Sequence, residues 1–313
     1  MSKASWSGVF PAITTQMHKD GSINLEDTAA HVEALIGSGV SGIIFLGSLG
    51  ENQTLLAGEK RLLLSEMVKV VAGRIPVLSG NAETTPAEAI RYAKDLQKMG
   101  ADGYMLMPSM LYKGDERERV AYFKTVAKST DLPVMIYNNP LSYANDLTCR
   151  LLNELATVKQ FVAIKESCGD VRRITAIHNE VGSRYQLFTG VDNLALEASI
   201  LGIDGWVAGT GIAFPAQNQY LWDLTRAGKW NEAREIYRWF TPLLDLDVST
   251  KFVQYIKLAV QEAGLGQEFV RAPRLTLAGA ERKQVLDVIH TGIKNAPKVP
   301  AKYYGKNAVK KAK

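Results

Sequence analysis

The sequence contains only two cysteines, Cys149 and Cys168, and neither belongs to a CxxC motif or lies near a histidine that could share a metal ion. A disulfide framework and a structural zinc site are therefore excluded as the basis of the fold. Long hydrophobic runs are also missing. Stretches such as 43–46 and 104–107 fall far short of the roughly 20 residues that a membrane helix needs. We therefore predict that the chain does not span a membrane.

The first residues lack the apolar core of a signal peptide, because residues 1–16 are interrupted by Pro11 and contain no long apolar stretch. We therefore expect the protein to be cytoplasmic. Acidic residues are absent from the last part of the chain, where residues 298–313 carry six lysines and account for the formal net charge of +5. This composition predicts a basic flexible tail over 297–313, and we expect neither nucleic acid nor a membrane as a partner.

Several signatures of cofactor and nucleophile sites are also missing. The first apolar run is not followed by a GxGxxG motif, which argues against a dinucleotide-binding fold. The sequence also contains neither a GxSxG motif nor a P-loop. None of the four histidines closes a predicted strand. We therefore predict that the protein uses neither a metal ion nor a cofactor.

The chain does contain a regular alternation of short apolar runs with longer amphipathic stretches. Nearly continuous apolar runs are typical of parallel strands that helices cover. Eight such units with short connections predict the α/β class and a closed (β/α)8 TIM barrel over 1–228. Helical patterns without a strand follow, and they predict a C-terminal helical extension over 229–296. The predicted strands are Gly8–Thr14, Gly42–Leu46, Pro76–Ser79, Gly103–Met107, Pro133–Tyr137, Phe161–Lys165, Gln186–Thr189 and Gly205–Ala208.

Polar residues that close an apolar run are candidates for chemistry, because barrels of this kind place their active sites at the carboxyl ends of the strands. Lys165 closes the sixth run, where burial would lower the pKa of its amine and allow it to attack a carbonyl carbon. It could equally be a structural lysine paired with Glu166. Tyr137 closes the fifth run, so it should lie beside Lys165, either as a proton shuttle or as a buried core tyrosine.

Two other runs end in polar groups. The segment GSLGE (47–51) follows the second run. Gly47 and Gly50 permit close approach of the backbone, and the amides, together with the Ser48 hydroxyl, could hold a carboxylate. The same segment also fits an ordinary turn. Asp192 closes the seventh run and could either touch a substrate or cap the next helix.

Four motifs occur along the chain in the order GSLGE (47–51), YNNP (137–140), IKES (164–167) and GVDN (190–193). Together they resemble the dihydrodipicolinate synthase and N-acetylneuraminate lyase family, from about residue 6 to 296. The resemblance implies a class I aldolase-type barrel in which Lys165 forms a Schiff base with a 2-oxo acid and Tyr137 is the general acid/base. It also implies a homotetramer. The substrate-binding residues predicted on this basis are Gly47, Ser48, Leu49, Asn139 and Val207. Of these, Ser48 and Leu49 would hold the substrate carboxylate, and Val207 would offer its backbone carbonyl.

The sequence departs from the family pattern at three places. Ser142 stands where true dihydrodipicolinate synthases have an arginine that binds the carboxylate of the second substrate. Leu49 replaces the second threonine of the family's GTTGE pattern. The tyrosine that a neighbouring subunit usually lends is replaced by Leu111 or displaced to Tyr112. These differences predict weak synthase activity.

Within the family, the sequence looks most like 1-pyrroline-4-hydroxy-2-carboxylate deaminases, which convert a small cyclic imine to 2,5-dioxopentanoate and ammonia. Three alternatives stay open. One is an aldolase or dehydratase for a 2-keto-3-deoxy sugar acid, the second is dihydrodipicolinate synthase itself, and the third is a catalytically silent barrel that only binds a ligand. The side chains that could bind the hydroxyl groups of a sugar acid are Asn138, Asn139, Ser167, Asp192 and Thr210.

Overall fold

The computed structural model describes residues 6–305, which form eight parallel strands with helices between them. The number and order of the strands agree with the eight apolar runs. The first and last strands are shorter than predicted, and the third continues to Asn81. The strands are β1 (Gly8–Val9), β2 (Ile43–Phe45), β3 (Val77–Asn81), β4 (Gly103–Leu106), β5 (Val134–Asn138), β6 (Phe161–Glu166), β7 (Gln186–Thr189) and β8 (Gly205–Trp206).

The sheet closes on itself. Its order is β1-β8-β7-β6-β5-β4-β3-β2, and the two end strands are joined beyond β1, where Ala12 pairs in parallel with Ile44. The Ile13 amide donates to the Ile44 carbonyl at 3.0 Å, and the Ile44 amide donates to the Pro11 carbonyl at 2.9 Å. The structure therefore confirms the predicted (β/α)8 barrel, which has no open sheet edge to protect.

The helices begin and end at residues suited to those positions. Asn24, Thr85 and Asp115 each accept a hydrogen bond from a backbone amide in the first turn of the helix that follows, and Gly100 ends one helix at a φ of +83°. The helices between the strands are α1 (Leu25–Gly37), α2 (Ala57–Val71), α3 (Pro86–Met99), α4 (Glu116–Ala127), α5 (Pro140–Tyr143), α6 (Cys149–Leu155), α7 (Arg172–Val181) and α8 (Ala195–Ile200), and α9 (Pro215–Arg226) follows β8.

The apolar core has two layers. The larger layer fills the space between strands and helices. The smaller layer fills the barrel itself and includes Phe10, Met135 and Phe188, with the rings of Phe10 and Phe188 packed edge to face at 5.4 Å. Tyr137 belongs to this inner layer, so its side chain points into the barrel. The barrel is thus a packed core whose polar groups lie at one end.

Helices α10 (Trp230–Leu244), α11 (Phe252–Glu262) and α12 (Gly279–Lys294) form the C-terminal extension. No strand occurs among the described residues after β8, as the sequence predicted. Aromatic side chains join the extension together: Trp239 stacks on Phe240 at 5.0 Å and donates its indole N–H to the Gly292 carbonyl at 2.9 Å. These aromatic residues therefore pack the helices of the extension against one another.

Part of the predicted tail packs against the barrel, which corrects the prediction of a flexible tail over 297–313. Val299 and Tyr303 are buried, and a 3-10 helix (Ala301–Tyr304) lies against α9. There the Tyr303 hydroxyl donates to the Asp223 carboxylate at 2.7 Å. The lysine content misled the prediction because two apolar side chains, rather than the charges, decide where this segment lies. Residues 306–313 of the predicted tail are outside the described part of the chain.

In the described part of the chain, no helix is long and apolar enough to cross a membrane. Over residues 6–305, no group of three His, Cys, Asp or Glu side chains is placed to hold a metal ion. Cys149 and Cys168 are not joined by a disulfide bond.

We predict that Tyr303→Ala destabilises the protein by about 2–4 kcal/mol, because it removes a buried ring and leaves Asp223 without its hydroxyl partner. The free energy of unfolding in urea would measure the effect. Tyr304→Ala is the matched control, since this neighbouring side chain is exposed and its removal should cost less than about 0.5 kcal/mol. Equal effects of the two substitutions would contradict the packing described here.

Candidate active site

Lys165 lies near the carboxyl end of β6 with its side chain inside the barrel, where it is only 7% exposed. Parallel pairing places Lys165 opposite Tyr137 on β5 and opposite Phe188 on β7. The Lys165 Nζ lies 4.3 Å from the centroid of the Tyr137 ring. The two residues singled out in the sequence are therefore neighbours, as the position of each at its strand end predicted.

Burial lowers the pKa of the Lys165 amine, and the charge of Asp247 opposes this shift, as do smaller effects of Tyr143 and Asp192. Two other lysines are buried, but each forms an ion pair: Lys60 with Glu83 at 2.7 Å and Lys257 with Glu51 at 2.6 Å. Among the described residues, Lys165 has no carboxylate within 4.0 Å of its Nζ. It is the buried lysine whose amine is left available for chemistry.

Glu166 does not pair with Lys165, so the structural alternative for this lysine is wrong. Successive side chains of a strand point to opposite faces, and Glu166 points out of the barrel. Its carboxylate accepts hydrogen bonds from the Asn138 side chain at 3.0 and 3.2 Å and from the Cys168 amide at 2.7 Å. Glu166 therefore joins β5 to β6 behind the site.

Gly190 of the GVDN motif lets the lysine side chain lie across β7. A Cβ atom at this position would come within 2.2 Å of both the Lys165 Cε and the Ser167 Oγ. Any larger residue would displace one of these groups. The Ser167 hydroxyl is buried and has no hydrogen-bond partner among the described residues, so it is a free polar group beside Lys165.

Tyr137 is buried, and its hydroxyl accepts a hydrogen bond from the Asn139 side chain at 3.1 Å. Burial raises the pKa of the Tyr137 phenol, and the hydrogen bond from Asn139 lowers it while the charge of Asp247 raises it. The phenol is therefore protonated at neutral pH and can donate as well as accept a proton. Asn139, which we predicted to bind substrate, contacts Tyr137 and orients its hydroxyl.

The turn that carries Ser48 is tightly wound. Leu46 and Glu51 both have positive φ angles, of 56° and 58°, and a Cβ at Gly50 would come within 3.1 Å of the Leu46 and Ile13 backbones. Glycine at position 50 is thus required by close backbone approach. The amides of Ser48 and Leu49 donate to no acceptor within residues 6–305, so both are free donors.

A buried ion pair holds this turn against the extension. The Lys257 amine on α11 donates to the Glu51 carboxylate at 2.6 Å, and both side chains are fully buried. The other Glu51 oxygen accepts from the Arg271 amide at 3.0 Å. Because removal of one partner would leave an uncompensated buried charge, this pair is expected to lock the turn in place. Helix α11 therefore acts on the site through Lys257.

The remaining predicted residues differ in their surroundings. Val207 belongs to the inner layer of the barrel together with Tyr137. The Leu49 side chain is buried in the outer layer, so this residue can meet a substrate only through its backbone. Ser142 is exposed on α5, where its amide donates to Asn139. Tyr112 is 61% exposed and donates its hydroxyl to Glu118 on its own chain.

Asp192 has a structural task. Its buried carboxylate accepts hydrogen bonds from the Trp206 indole at 2.9 Å and from the amides of Gly209 and Thr210 at 3.0 and 2.6 Å. It thereby fixes the backbone that follows β8. Burial raises the pKa of Asp192, and these hydrogen bonds and Lys165 lower it. Its carboxylate is fully engaged in these bonds, so direct contact with a substrate, which we considered from the sequence, is not supported.

Two residues of the site were missed in the sequence. Tyr143 on α5 forms a hydrogen bond with the Ser48 hydroxyl, and its ring packs edge to face on Tyr137 at 5.7 Å. Asp247 lies in the turn between α10 and α11. A Cβ at Gly209 would come within 2.5 Å of the Asp247 Oδ1 and 3.3 Å of the Asp192 Oδ2, which places two carboxyl groups side by side at the barrel mouth.

The Asp247 carboxyl interacts electrostatically with Asp192 and Lys165 of the barrel. Burial, together with the charge of Asp192, raises its pKa well above the usual range of an aspartate, and Lys165 opposes the shift. A motif search could not have found Asp247, because it comes from a helical turn outside the barrel. For Tyr143, the available signal was its position three residues after Pro140 of YNNP, which places it on the same short helix as that motif.

Most of the chain is similar to proteins of one known family. Residues 5–291 match the model of the dihydrodipicolinate synthetase family. The chain is 28% identical over 277 residues to 4-hydroxy-tetrahydrodipicolinate synthase 1 of Halalkalibacterium halodurans, covering 88% of this chain and 94% of that protein. The family match therefore includes the barrel and most of the extension.

Two crystal structures of similar proteins hold pyruvate. One is a prophage protein of the dihydrodipicolinic acid synthase family from E. coli K12, with a TM-score of 0.86 and 28% identity over 93% of this chain and 99% of that one. The other is the chloride-inhibited dihydrodipicolinate synthase of Acinetobacter baumannii, with a TM-score of 0.87 and 26% identity over 91% of this chain and 98% of that one.

We predict that Asp247→Asn lowers the pKa of the Lys165 amine further, because Asp247 exerts the strongest of the charge effects that favour the ammonium form. The rate of carbamylation of Lys165 by cyanate, followed by peptide mass spectrometry as a function of pH, measures this pKa. The exposed Lys94 in the same sample serves as an internal reference. Asp245→Asn changes an exposed carboxylate of the same turn and should leave the Lys165 profile where it is. A raised or unchanged profile for Asp247→Asn would show that this carboxyl does not act on the amine.

Proposed function

This chain belongs to the dihydrodipicolinate synthetase family, whose members are class I aldolase-type lyases that use a lysine Schiff base, and we propose that Lys165 is the lysine that forms it here. The observation that carries the proposal is the state of its amine. Lys165 is buried with no carboxylate in ion-pair distance, whereas Lys60 and Lys257 are neutralised by partners. A desolvated amine of lowered pKa is the nucleophile that attack on a carbonyl carbon requires.

The groups around Lys165 fit a small 2-oxo acid. Its carboxylate would accept hydrogen bonds from the free amides of Ser48 and Leu49, and its carbonyl carbon would then face the Lys165 amine. Tyr137 would move the protons that imine formation requires, since no histidine among the described residues lies close enough to compete. The pyruvate held by the two similar crystal structures supports this substrate class.

We further propose that the substrate is 4-hydroxy-1-pyrroline-2-carboxylate, a cyclic imine. The supporting observation is the presence of carboxyl groups, and not of a cation, at the barrel mouth. Asp247 and Asp192 lie side by side near Lys165, and Ser142 stands where a synthase has an arginine. A second substrate with its own carboxylate would meet acids where it needs a cation. Opening of the pyrroline ring instead produces an amine, which can share a proton with a carboxyl group such as that of Asp247.

The reaction balances with water alone. The Lys165 amine adds to C2, and the ring nitrogen leaves C2 as a primary amine attached to C5. Loss of a C3 proton gives the enamine, which expels the 4-hydroxyl as water, and proton shifts then convert the C5 amine into an imine. Hydrolysis of this imine releases ammonia, and hydrolysis of the Lys165 imine releases 2,5-dioxopentanoate. One water is lost and two are consumed, so the net reaction is addition of one water and release of ammonia.

Two other functions have specific support. The similar protein of Halalkalibacterium halodurans is named 4-hydroxy-tetrahydrodipicolinate synthase 1, which favours condensation of pyruvate with a second substrate. The buried hydroxyls of Ser167 and Thr210 have no hydrogen-bond partner among the described residues, which favours a polyhydroxylated substrate such as a 2-keto-3-deoxy sugar acid. Assembly as a homotetramer and a cytoplasmic location stay predictions.

Lys165→Ala should abolish the covalent adduct that borohydride traps with pyruvate, because no other amine lies at the end of β6. Mass spectrometry of the reduced protein measures this adduct, and Lys94→Ala, which removes an exposed lysine, should trap pyruvate as the native protein does. Tyr137→Phe should form the adduct but turn over about 10²–10⁴-fold more slowly, the usual effect of losing one general acid/base. An adduct of full yield on Lys165→Ala would overturn the assignment. Absence of any adduct on the native protein would indicate a silent binding barrel.

The substrate proposal is tested by two assays on one preparation. We expect ammonia release from 4-hydroxy-1-pyrroline-2-carboxylate to have a kcat/KM at least about 10²-fold above that for condensation of pyruvate with aspartate semialdehyde, since the missing arginine contact is worth a few kcal/mol. Ser142→Arg is the informative variant and should raise the condensation activity. Condensation faster than ammonia release by the native protein would establish the synthase instead.

A further inference from the structure

The YNNP motif builds a short helix that brings a second tyrosine into the site. The Asn139 side chain accepts a hydrogen bond from the Ser142 amide, and the Asn139 carbonyl accepts one from the Tyr143 amide at 3.0 Å. Pro140 occupies the first position of this helix, where its missing N–H costs nothing. The helix ends at Ala144 with a φ of 53°. Tyr143 is therefore held by the same segment that carries Tyr137.

Tyr143 contacts both of the hydroxyl-bearing residues proposed for catalysis. Its hydroxyl is hydrogen-bonded to the Ser48 hydroxyl, and either oxygen can be the donor. Its ring meets the Tyr137 ring at an interplanar angle of 79°, which is the favourable edge-to-face arrangement. The two phenols also interact through their hydroxyls, since a hydrogen bond between them lowers the pKa of Tyr137 and raises that of Tyr143. Ser48, Tyr143 and Tyr137 thus form a row of neighbouring hydroxyl groups from the carboxylate-binding turn to Lys165.

We propose that Tyr143 is a proton-relay residue that connects Ser48 to Tyr137 and thereby completes the active site within a single chain. The inference rests on the proposed role of Lys165. The resemblance to the family implied that a neighbouring subunit would lend a tyrosine. Here the Ser48 hydroxyl already has a tyrosine partner from its own chain, and a serine hydroxyl has one proton to donate.

The alternative donor, Tyr112, is engaged elsewhere on its own chain. Its hydroxyl donates to the two carboxylate oxygens of Glu118, both at 3.1 Å, on the exposed surface before α4. The pKa of the Tyr143 phenol, by contrast, responds to the site: burial and Tyr137 raise it, and Ser48 and Lys165 lower it. Tyr143 is therefore coupled to the reacting groups, whereas Tyr112 is coupled to a surface carboxylate.

The relay conserves protons during imine formation. Tyr137 takes a proton from the Lys165 nitrogen as the amine adds to the carbonyl carbon, and passes its own phenol proton to Tyr143. Tyr143 passes its proton to Ser48, and Ser48 gives its hydroxyl proton to the substrate oxygen. That oxygen departs as water after a second proton follows the same route. The two protons lost by the nitrogen are those gained by the departing oxygen, so no external acid or base is consumed.

The test uses pyruvate as the probe and exchange of its methyl protons for solvent deuterium, followed by NMR, as the readout of enamine formation. Tyr143→Phe keeps the ring packed on Tyr137 and removes only the hydroxyl, so we expect exchange to slow by about 10- to 100-fold. The extent of the borohydride adduct at equilibrium should not change. Tyr122→Phe is the matched control, because the Tyr122 hydroxyl on α4 has no hydrogen-bond partner among the described residues and lies outside the site.

A double-substitution cycle separates a relay from a packing effect. Ser48→Ala should slow exchange as well. The exchange rate of the double variant Ser48→Ala/Tyr143→Phe should lie within about threefold of that of the slower single variant, because both substitutions interrupt the same proton relay. Ser48→Thr should retain exchange because it keeps the hydroxyl. Multiplicative losses in the double variant would overturn the relay.

Two further outcomes are decisive. Native exchange rates in Tyr143→Phe, combined with slow exchange in Tyr112→Phe, would show that a second copy of the chain supplies the tyrosine and that the relay proposal is wrong. Absence of a pyruvate adduct on the native protein would instead remove the Schiff base on Lys165, and the relay with it. The two failures are distinguished because the first leaves the adduct intact.

Discussion

Burial lowers the affinity of a primary amine for a proton, whereas nearby carboxylates raise it. Both effects act on Lys165 inside the barrel. Burial lowers the pKa of the amine, while Asp247 and Asp192 oppose the shift without reaching ion-pair distance. The amine is therefore not held in an ion pair by either acid. A direct ion pair of the kind formed by Lys257 and Glu51 would have stabilised the ammonium and blocked its attack.

The C-terminal extension is part of the active site as well as of the scaffold. It contributes Asp247 to the barrel mouth and Lys257 to the turn that carries Ser48. Asp247 lies in the turn that precedes α11, and Lys257 lies on α11 itself. A change in how the extension packs would therefore alter the charge around Lys165 and the position of the carboxylate-binding amides together.

The YNNP segment serves two side chains at once. Its first residue, Tyr137, lies near the carboxyl end of β5 beside Lys165. Its Asn139 donates a hydrogen bond to the Tyr137 hydroxyl and caps the helix that carries Tyr143. Because Asn139 contacts both segments, one short motif is sufficient to bring two phenols to Ser48 and Lys165. These contacts also explain why Asn139 is best regarded as an orienting residue.

Apolar runs and their spacing were sufficient to predict the eight strands, the barrel and the adjacency of Tyr137 and Lys165, because the side-chain period of a strand and parallel register depend on local sequence. Tertiary structure alone decided three matters. It brought Asp247 to the site from a helix turn far along the chain, it turned the Leu49 side chain into the outer core, and it buried Val299 and Tyr303 in a lysine-rich segment. Each depends on contacts between distant segments, for which neither composition nor periodicity carries a signal.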